Sequence, residues 1–261
     1  VIRAIFTPFA GGSAATVRLL IVGQVALALV LWHLAPASTG LPTLAGIASE
    51  FHRLASTQGL LGELFASTSV IWQALVLSSL LSAGVAYLTT TAAFRPLGTV
   101  VSTLRFLGFA GLTFLFTLWT DGPHQLKLAL LTFGMTVFLT RSMTDVVASI
   151  PAADLDYGRT LGLTGWRLTW EMVVRGRLAD FLELVRQNAA VGWTLLAMVE
   201  GITRSEGGVG AMLLNQNKYF NLSAVFAIQL VILTYGVAQD WALSALRDLA
   251  CPHARLARDR K

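Results

Sequence analysis

Charged side chains are scarce in this sequence. They make up 13% of its 261 residues, against roughly 25% in an ordinary soluble domain. With 55% of residues apolar, a chain of this size cannot cover a water-facing surface. A soluble monomer is therefore excluded, and an integral membrane protein is implied. Cysteine is almost absent too. Cys251 alone cannot form an intramolecular disulfide or a C-x-x-C redox or zinc motif, and it reads as a small apolar residue.

Motifs for chemistry are missing as well. No H-E-x-x-H is present, and His33, His52, His124 and His253 stand apart from one another. There is no G-x-S-x-G elbow and no Walker A loop, so neither a hydrolase nor self-contained ATP use is supported. The expectation is no catalytic residue and no metal site.

What is present is a series of long apolar runs. They cover about 17–35, 69–93, 99–119, 126–145, 181–201 and 223–245 and predict six transmembrane helices. Barrel strands would alternate in segments of about ten residues. The predicted class is therefore all-α and polytopic, one transmembrane domain over 1–261. Ala35-Pro36-Ala37 after the first run resembles a signal-peptidase site, but the run exceeds the usual apolar core of about 7–15 residues and is read as a retained helix. From Leu44 to Phe65 an amphipathic piece carries Glu50, His52, Arg53 and Glu63, too polar to span and expected at the membrane interface.

The net charge of +5 is read as membrane orientation, with no nucleic-acid partner. If the N-terminus is cytoplasmic, all of the 19 arginines and lysines except Arg53, Lys127, Arg204 and Lys218 fall on the cytoplasmic side. Arg3, Arg255, Arg258, Arg260 and Lys261 are among them, so both termini are predicted to be cytoplasmic. The longest cytoplasmic connection, 146–180, opens on Pro151 at a helix start and mixes charges with Tyr157, Leu161, Trp166 and Trp170. It predicts two short helices joined at Gly162, on a surface that something soluble covers.

This connection carries a family resemblance. Asp156-Tyr157-Gly158, three residues, Gly162, nine residues and Met172-x-Val174 resemble the Glu-Ala-Ala loop of bacterial ABC-importer permeases, which ends in Ile-x-Leu-Pro. Arg159-Thr160-Leu161-Gly162 matches the family's common wording. Trp119-Thr120-Asp121-Gly122 with Lys127, Glu200 with Gly207-Gly208-Val209-Gly210, and Gly236 with Asp240 are similar to further segments of the nitrate, taurine and aliphatic-sulfonate branch. The similarity spans about 65–255. Tyr157 and Gly158 replace the two alanines, and Arg175 replaces the proline.

The resemblance implies a permease of the bacterial inner membrane. Its partners would be a second permease copy, two cytosolic ATPase subunits that bind the ATP and magnesium, and a periplasmic or lipid-anchored solute-binding protein. A coupling helix would involve Asp156, Tyr157, Gly158, Arg159, Leu161, Gly162, Trp166 and Arg167. The substrate it implies is a small anion such as nitrate, a sulfonate or taurine, with a neutral heterocycle or vitamin precursor as the alternative.

Polar residues inside spans are the pathway candidates. Asn188 with Trp193 is the first choice for a pore-lining pair, and Gln229 is a further candidate. Arg105 and Arg141 either draw an anion to the inner vestibule or simply record topology. Glu183 and Arg186, three apart on one face, are expected to pair. An ion-coupled secondary transporter is the rival from another class, but no paired broken helices or midplane acid support it.

Overall fold

The computed structural model describes residues 14–34, 40–203 and 206–252. Arg3, Ala35-Pro36-Ala37, Arg204, His253, Arg255, Arg258, Arg260 and Lys261 lie outside the described residues. Everything regular in the described chain is helical, and the protein is an all-α polytopic membrane protein. Among the described residues four helices are long and apolar enough to cross a membrane, or five spans if a bent pair of shorter helices counts as one. The four are α1 (Ala14–Leu34), α3 (Leu60–Leu88), α6 (Pro123–Ala148) and α11 (Leu222–Ala250).

The expected interfacial piece 44–65 is divided. Helix α2 (Leu44–Thr57) starts at Thr43, whose hydroxyl accepts from the Gly46 N–H at 3.1 Å. It buries Ile47 and Leu54 against the bundle, and Gly59 at φ +68 then breaks the chain. Residues 60–65 are the first turns of α3, so Glu63 belongs to a span and not to a surface helix.

The expected span at 99–119 is also broken. Helix α4 (Arg95–Thr103) and helix α5 (Phe109–Thr117) meet at an angle of 106°. Leu107 and Gly108 are extended, and each half is anchored separately on α6. Gly98 packs so closely that a Cβ would lie 2.7 Å from the Thr144 methyl. Gly134 leaves room for the Phe109 ring, which a Cβ would meet at 2.6 Å. The two anchors are ten residues apart on α6, about 15 Å, which fixes both halves and the bend between them.

After α6 come α7 (Ala152–Thr160) and α8 (Gly165–Leu168), with α8 running into a π-helical stretch, Thr169–Arg175. Helix α9 (Leu178–Ile202), the short α10 (Val209–Lys218) and α11 complete the order. Helix α9 matches the expected span at 181–201 in length. It is not apolar enough to be counted with those four, since it carries Asp180, Glu183, Arg186 and Glu200.

Packing explains which helices are central. On α3 the buried stripe is Ser67, Ile71, Ala74, Ser78 and Ser82, while Val76, Leu77, Leu80 and Leu81 are exposed. The inward face is thus smaller and more polar than the outward one, as lipid requires. Ser82 donates to the Thr136 carbonyl at 3.1 Å and accepts from Thr140 at 3.2 Å, joining α3 to α6. On α9 the buried positions 185, 188, 189, 192, 193, 196, 199 and 200 make one face of a helix, and Gly192 seats the Met135 thioether of α6. Helix α1 touches the bundle through Trp32, which donates to the Pro42 carbonyl at 3.0 Å and meets Phe226 edge-on.

Candidate functional site

Three clusters combine charge with fixed geometry. The first lies where α3, α6, α9 and α10 converge, at the end of the bundle opposite the arginine-rich loop. Glu200 is fully buried there. Its Oε1 accepts from the Ser67 hydroxyl at 2.7 Å and lies 3.5 Å from Lys127 Nζ, and its Oε2 accepts from the Gly210 N–H at 2.7 Å. Lys127 also donates to the Gly207 carbonyl at 3.2 Å, and the Val209 N–H donates to Ser67 Oγ at 3.0 Å. The Gly208 N–H donates to the Glu63 carboxylate.

Glycine is required in this knot. Gly208 sits at φ +105, and a Cβ there would fall 2.1 Å from Glu200 Oε1. A Cβ on Gly210 would fall 2.6 Å from the Cα of Ala197. The Gly207-Gly208-Val209-Gly210 run is therefore a cradle through which a buried carboxylate reaches backbone N–H groups.

The second cluster ties α9 to α11 at the opposite end. Arg186 Nη1 donates to both Asp240 oxygens at 2.6 and 2.7 Å. Its Nη2 and Nε donate to Glu183 at 2.5 and 3.1 Å. Glu183 also accepts from Arg247, which in turn pairs with Asp248 at 2.9 Å. The expected Glu183–Arg186 pair is present, and Asp240 and Arg247 extend it between helices.

The third cluster is the loop between α6 and α9, where the expected two short helices joined at a glycine are found. Helix α7 ends in a Schellman cap. The Leu163 N–H donates to the Gly158 carbonyl at 3.1 Å and the Gly162 N–H to the Arg159 carbonyl at 2.9 Å, with Gly162 at φ +78. Gly158 is buried, and a Cβ on it would lie 2.5 Å from Leu168 Cδ1. That contact explains why glycine stands here in place of alanine: α7 lies directly on the chain that follows. Tyr157, Leu161, Trp166 and Trp170 are exposed, as is Arg167, and Asp156 pairs with Arg159 at 2.6 Å on the surface.

The sequence matches no protein-family model and no curated protein. Its fold does find a counterpart. A crystal structure of an amino acid ABC transporter with histidines aligns with a TM-score of 0.58 at 11% identity, covering 76% of this chain and 96% of that one. The chain shares the fold of an ABC-transporter chain.

Within this fold, the pathway candidates do not gather in one place. Asn188 is buried and its Nδ2 donates to the Met135 carbonyl at 3.3 Å. Trp193, also buried, donates to Gln239 Oε1 at 2.6 Å and meets the Tyr235 ring edge-on. The two side chains thus serve separate contacts of α9, one with α6 and one with α11. Gln229 is exposed on α11. Arg105 is exposed, its guanidinium 5.0 Å from the centre of the Phe106 ring. Arg141 is exposed, pairs with Asp145 at 3.1 Å and borders a cavity of about 890 Å³ beneath α3, α4 and α6.

Some members of these clusters escape a reading of the sequence. Ser67 and Glu63 are missed because the apolar run is taken to start at 69, whereas α3 starts at Leu60. A serine four residues after an acid, just ahead of an apolar run, is the available signal. Gln239, next to Asp240, gives none beyond its polarity.

Proposed function

We propose that this chain is the permease subunit of an ATP-driven ABC importer for a small solute, a nitrate-, sulfonate- or taurine-like anion being the best candidate. The observation that carries the reading is the fold shared with an ABC-transporter chain over 76% of the present one. The loop at 152–175 supports it. A capped helix laid against the following segment, with Tyr157, Leu161 and Trp166 turned outward, suits an ATPase that must grip the permease and move it.

In this reading two permease copies form the path, two cytosolic ATPase subunits hold the ATP and magnesium, and a solute-binding protein delivers from outside. The permease itself performs no catalysis. Closure of the ATPases would pull on α7 and α8, and the π-helical stretch Thr169–Arg175 would pass that pull directly to α9. The arginine-rich side, with the loop, would face the cytoplasm.

The test is capture of the tagged chain from its native membrane in mild detergent. An ATPase subunit in equal amount, lost on Leu161→Ala with Trp166→Ala, is the expected result. Gly162→Pro should abolish uptake and transport-coupled ATP hydrolysis while leaving membrane insertion intact, since proline cannot take φ +78. Recovery of the chain alone in every detergent, with normal uptake by both variants, would instead favour an ion-coupled secondary transporter.

A further inference from the structure

The 890 Å³ cavity lies between the ends of α3 and α6, the start of α4 and the loop helices α7 and α8. Its charged lining is Arg95, Arg141, Arg159 and the single acid Asp145. Three elements each contribute one guanidinium, so the groups converge through tertiary packing and not through a run in the sequence. The Gly98–Thr144 contact arranges this, because Arg95 is one turn before Gly98 and Arg141 one turn before Thr144. Close approach at the glycine therefore sets the two arginine-bearing faces side by side.

The guanidiniums are available. Arg95 has no partner among the described residues. Arg141 and Arg159 hold only same-helix, exposed partners, Asp145 at 3.1 Å and Asp156 at 2.6 Å. Such exposed pairs contribute little and are readily exchanged for a better acceptor. The rest of the polar lining is largely threonine. Thr89, Thr90, Thr91 and Thr144 donate to carbonyls of their own turns, so they add no opposing charge.

A second cavity of about 550 Å³ shares the Leu163, Trp166 and Thr169 wall and adds Tyr87 and Trp170. Tyrosine and tryptophan beside basic residues at the ends of spans mark the headgroup layer. We infer that the larger cavity is a binding site for a phosphate-type oxyanion, held by Arg95 and Arg141 with Arg159 closing over it. Guanidinium forks match the oxygens of such a group two at a time. A phospholipid headgroup and a free inorganic anion both present this chemistry. Trp166 and Arg159 also belong to the proposed coupling loop, so occupancy would be felt there; that consequence rests on the proposed function, whereas the site does not.

The experiment uses the chain with whatever subunits copurify, in nanodiscs of phosphatidylcholine. Phosphatidylglycerol retained on the protein is read by native mass spectrometry, and inorganic phosphate binding by equilibrium dialysis with radiolabel. Retention of phosphatidylglycerol, weakened about tenfold by Arg95→Gln and again by Arg141→Gln, identifies a lipid site. Binding of phosphate with the same dependence identifies a free-anion site. Arg141→Lys should retain part of the affinity, and Arg53→Gln on the other side of the bundle should change nothing. Because Arg95 holds no partner among the described residues, its variant tests binding with the fold intact. Absence of both ligands, or binding indifferent to Arg95 and Arg141, would overturn the inference.

Discussion

Replacing Lys127 by methionine should be among the most damaging conservative-volume changes in this chain. The ammonium lies 3.5 Å from Glu200, both side chains being almost wholly buried, and Lys127 also holds the Gly207 carbonyl. Two unit charges at that separation attract by about 4–5 kcal/mol at an effective dielectric of about 20. Most of that attraction offsets the cost of taking both charges out of water, so the pair's net worth is small. Removing one partner is different. The Glu200 carboxylate would keep Ser67 and Gly210 but lose its counter-charge, at a cost of about 3–5 kcal/mol. In a chain of this length that corresponds to roughly a 10 °C fall in apparent Tm. The double variant Lys127→Met with Glu200→Gln removes both charges and leaves an amide whose oxygen can accept from the Gly210 N–H while its NH2 donates to the Ser67 hydroxyl oxygen. It should recover more than half of the loss. The assay is thermal unfolding in one detergent, followed by loss of the monodisperse gel-filtration peak, for the wild type, both single variants and the double. Additive losses would refute the reasoning, because a coupled pair must give a double variant better than the sum. An unchanged Tm for Lys127→Met would refute it more simply.

Three further outcomes follow from the same geometry. Gly208→Ala places a Cβ against Glu200 at φ +105 and should cost about 2–5 kcal/mol, whereas Gly162→Ala, with open space at φ +78, should cost only about 1–2 kcal/mol; the same melting assay ranks them. Asp240→Asn should lower stability by about 1 kcal/mol, an effect that shrinks in high salt because Asp240 is half exposed. Glu183→Gln should cost more than Asp240→Asn, since Glu183 holds both Arg186 and Arg247; equal losses would show that sharing one acid between two arginines adds nothing.

Composition was enough to read class and helicity, because lipid permits few alternatives to helices. Boundaries were less legible. The start of α3 was placed too late because Glu63 and Ser67 look like surface residues, and they are polar because they face Gly208, Val209 and Glu200. The run at 99–119 is apolar throughout, so hydropathy cannot reveal a bend whose cause lies at Gly134 and Thr144 on another helix. Gly162, by contrast, was legible from local sequence. A glycine between a short polar helix and an apolar stretch needs only its own backbone to cap the helix. Lys127, Glu200 and the glycine run each stand out on separate segments, but their meeting is not legible, since pairing 73 residues apart leaves no periodic trace.

The two ionic clusters sit at opposite ends of the same helix, and this gives α9 a particular mechanical character. Near Glu200 it is locked to α3, α6 and α10 by a buried knot whose glycines permit no slack. Near Arg186 it is joined to α11 by partly buried charges on long side chains, with Glu183 shared between Arg186 and Arg247. Between them, Asn188 and Trp193 bind its middle to α6 and α11. A displacement entering α9 from the π-helical stretch therefore meets the compliant end first and the rigid end last. If the proposed coupling holds, a helix fastened this way would tilt about its fixed end, with the larger displacement on the side of the 890 Å³ cavity. The same asymmetry sets glycine around the buried acid, where one geometry is enforced, and long side chains around the arginines, where several pairings are within reach.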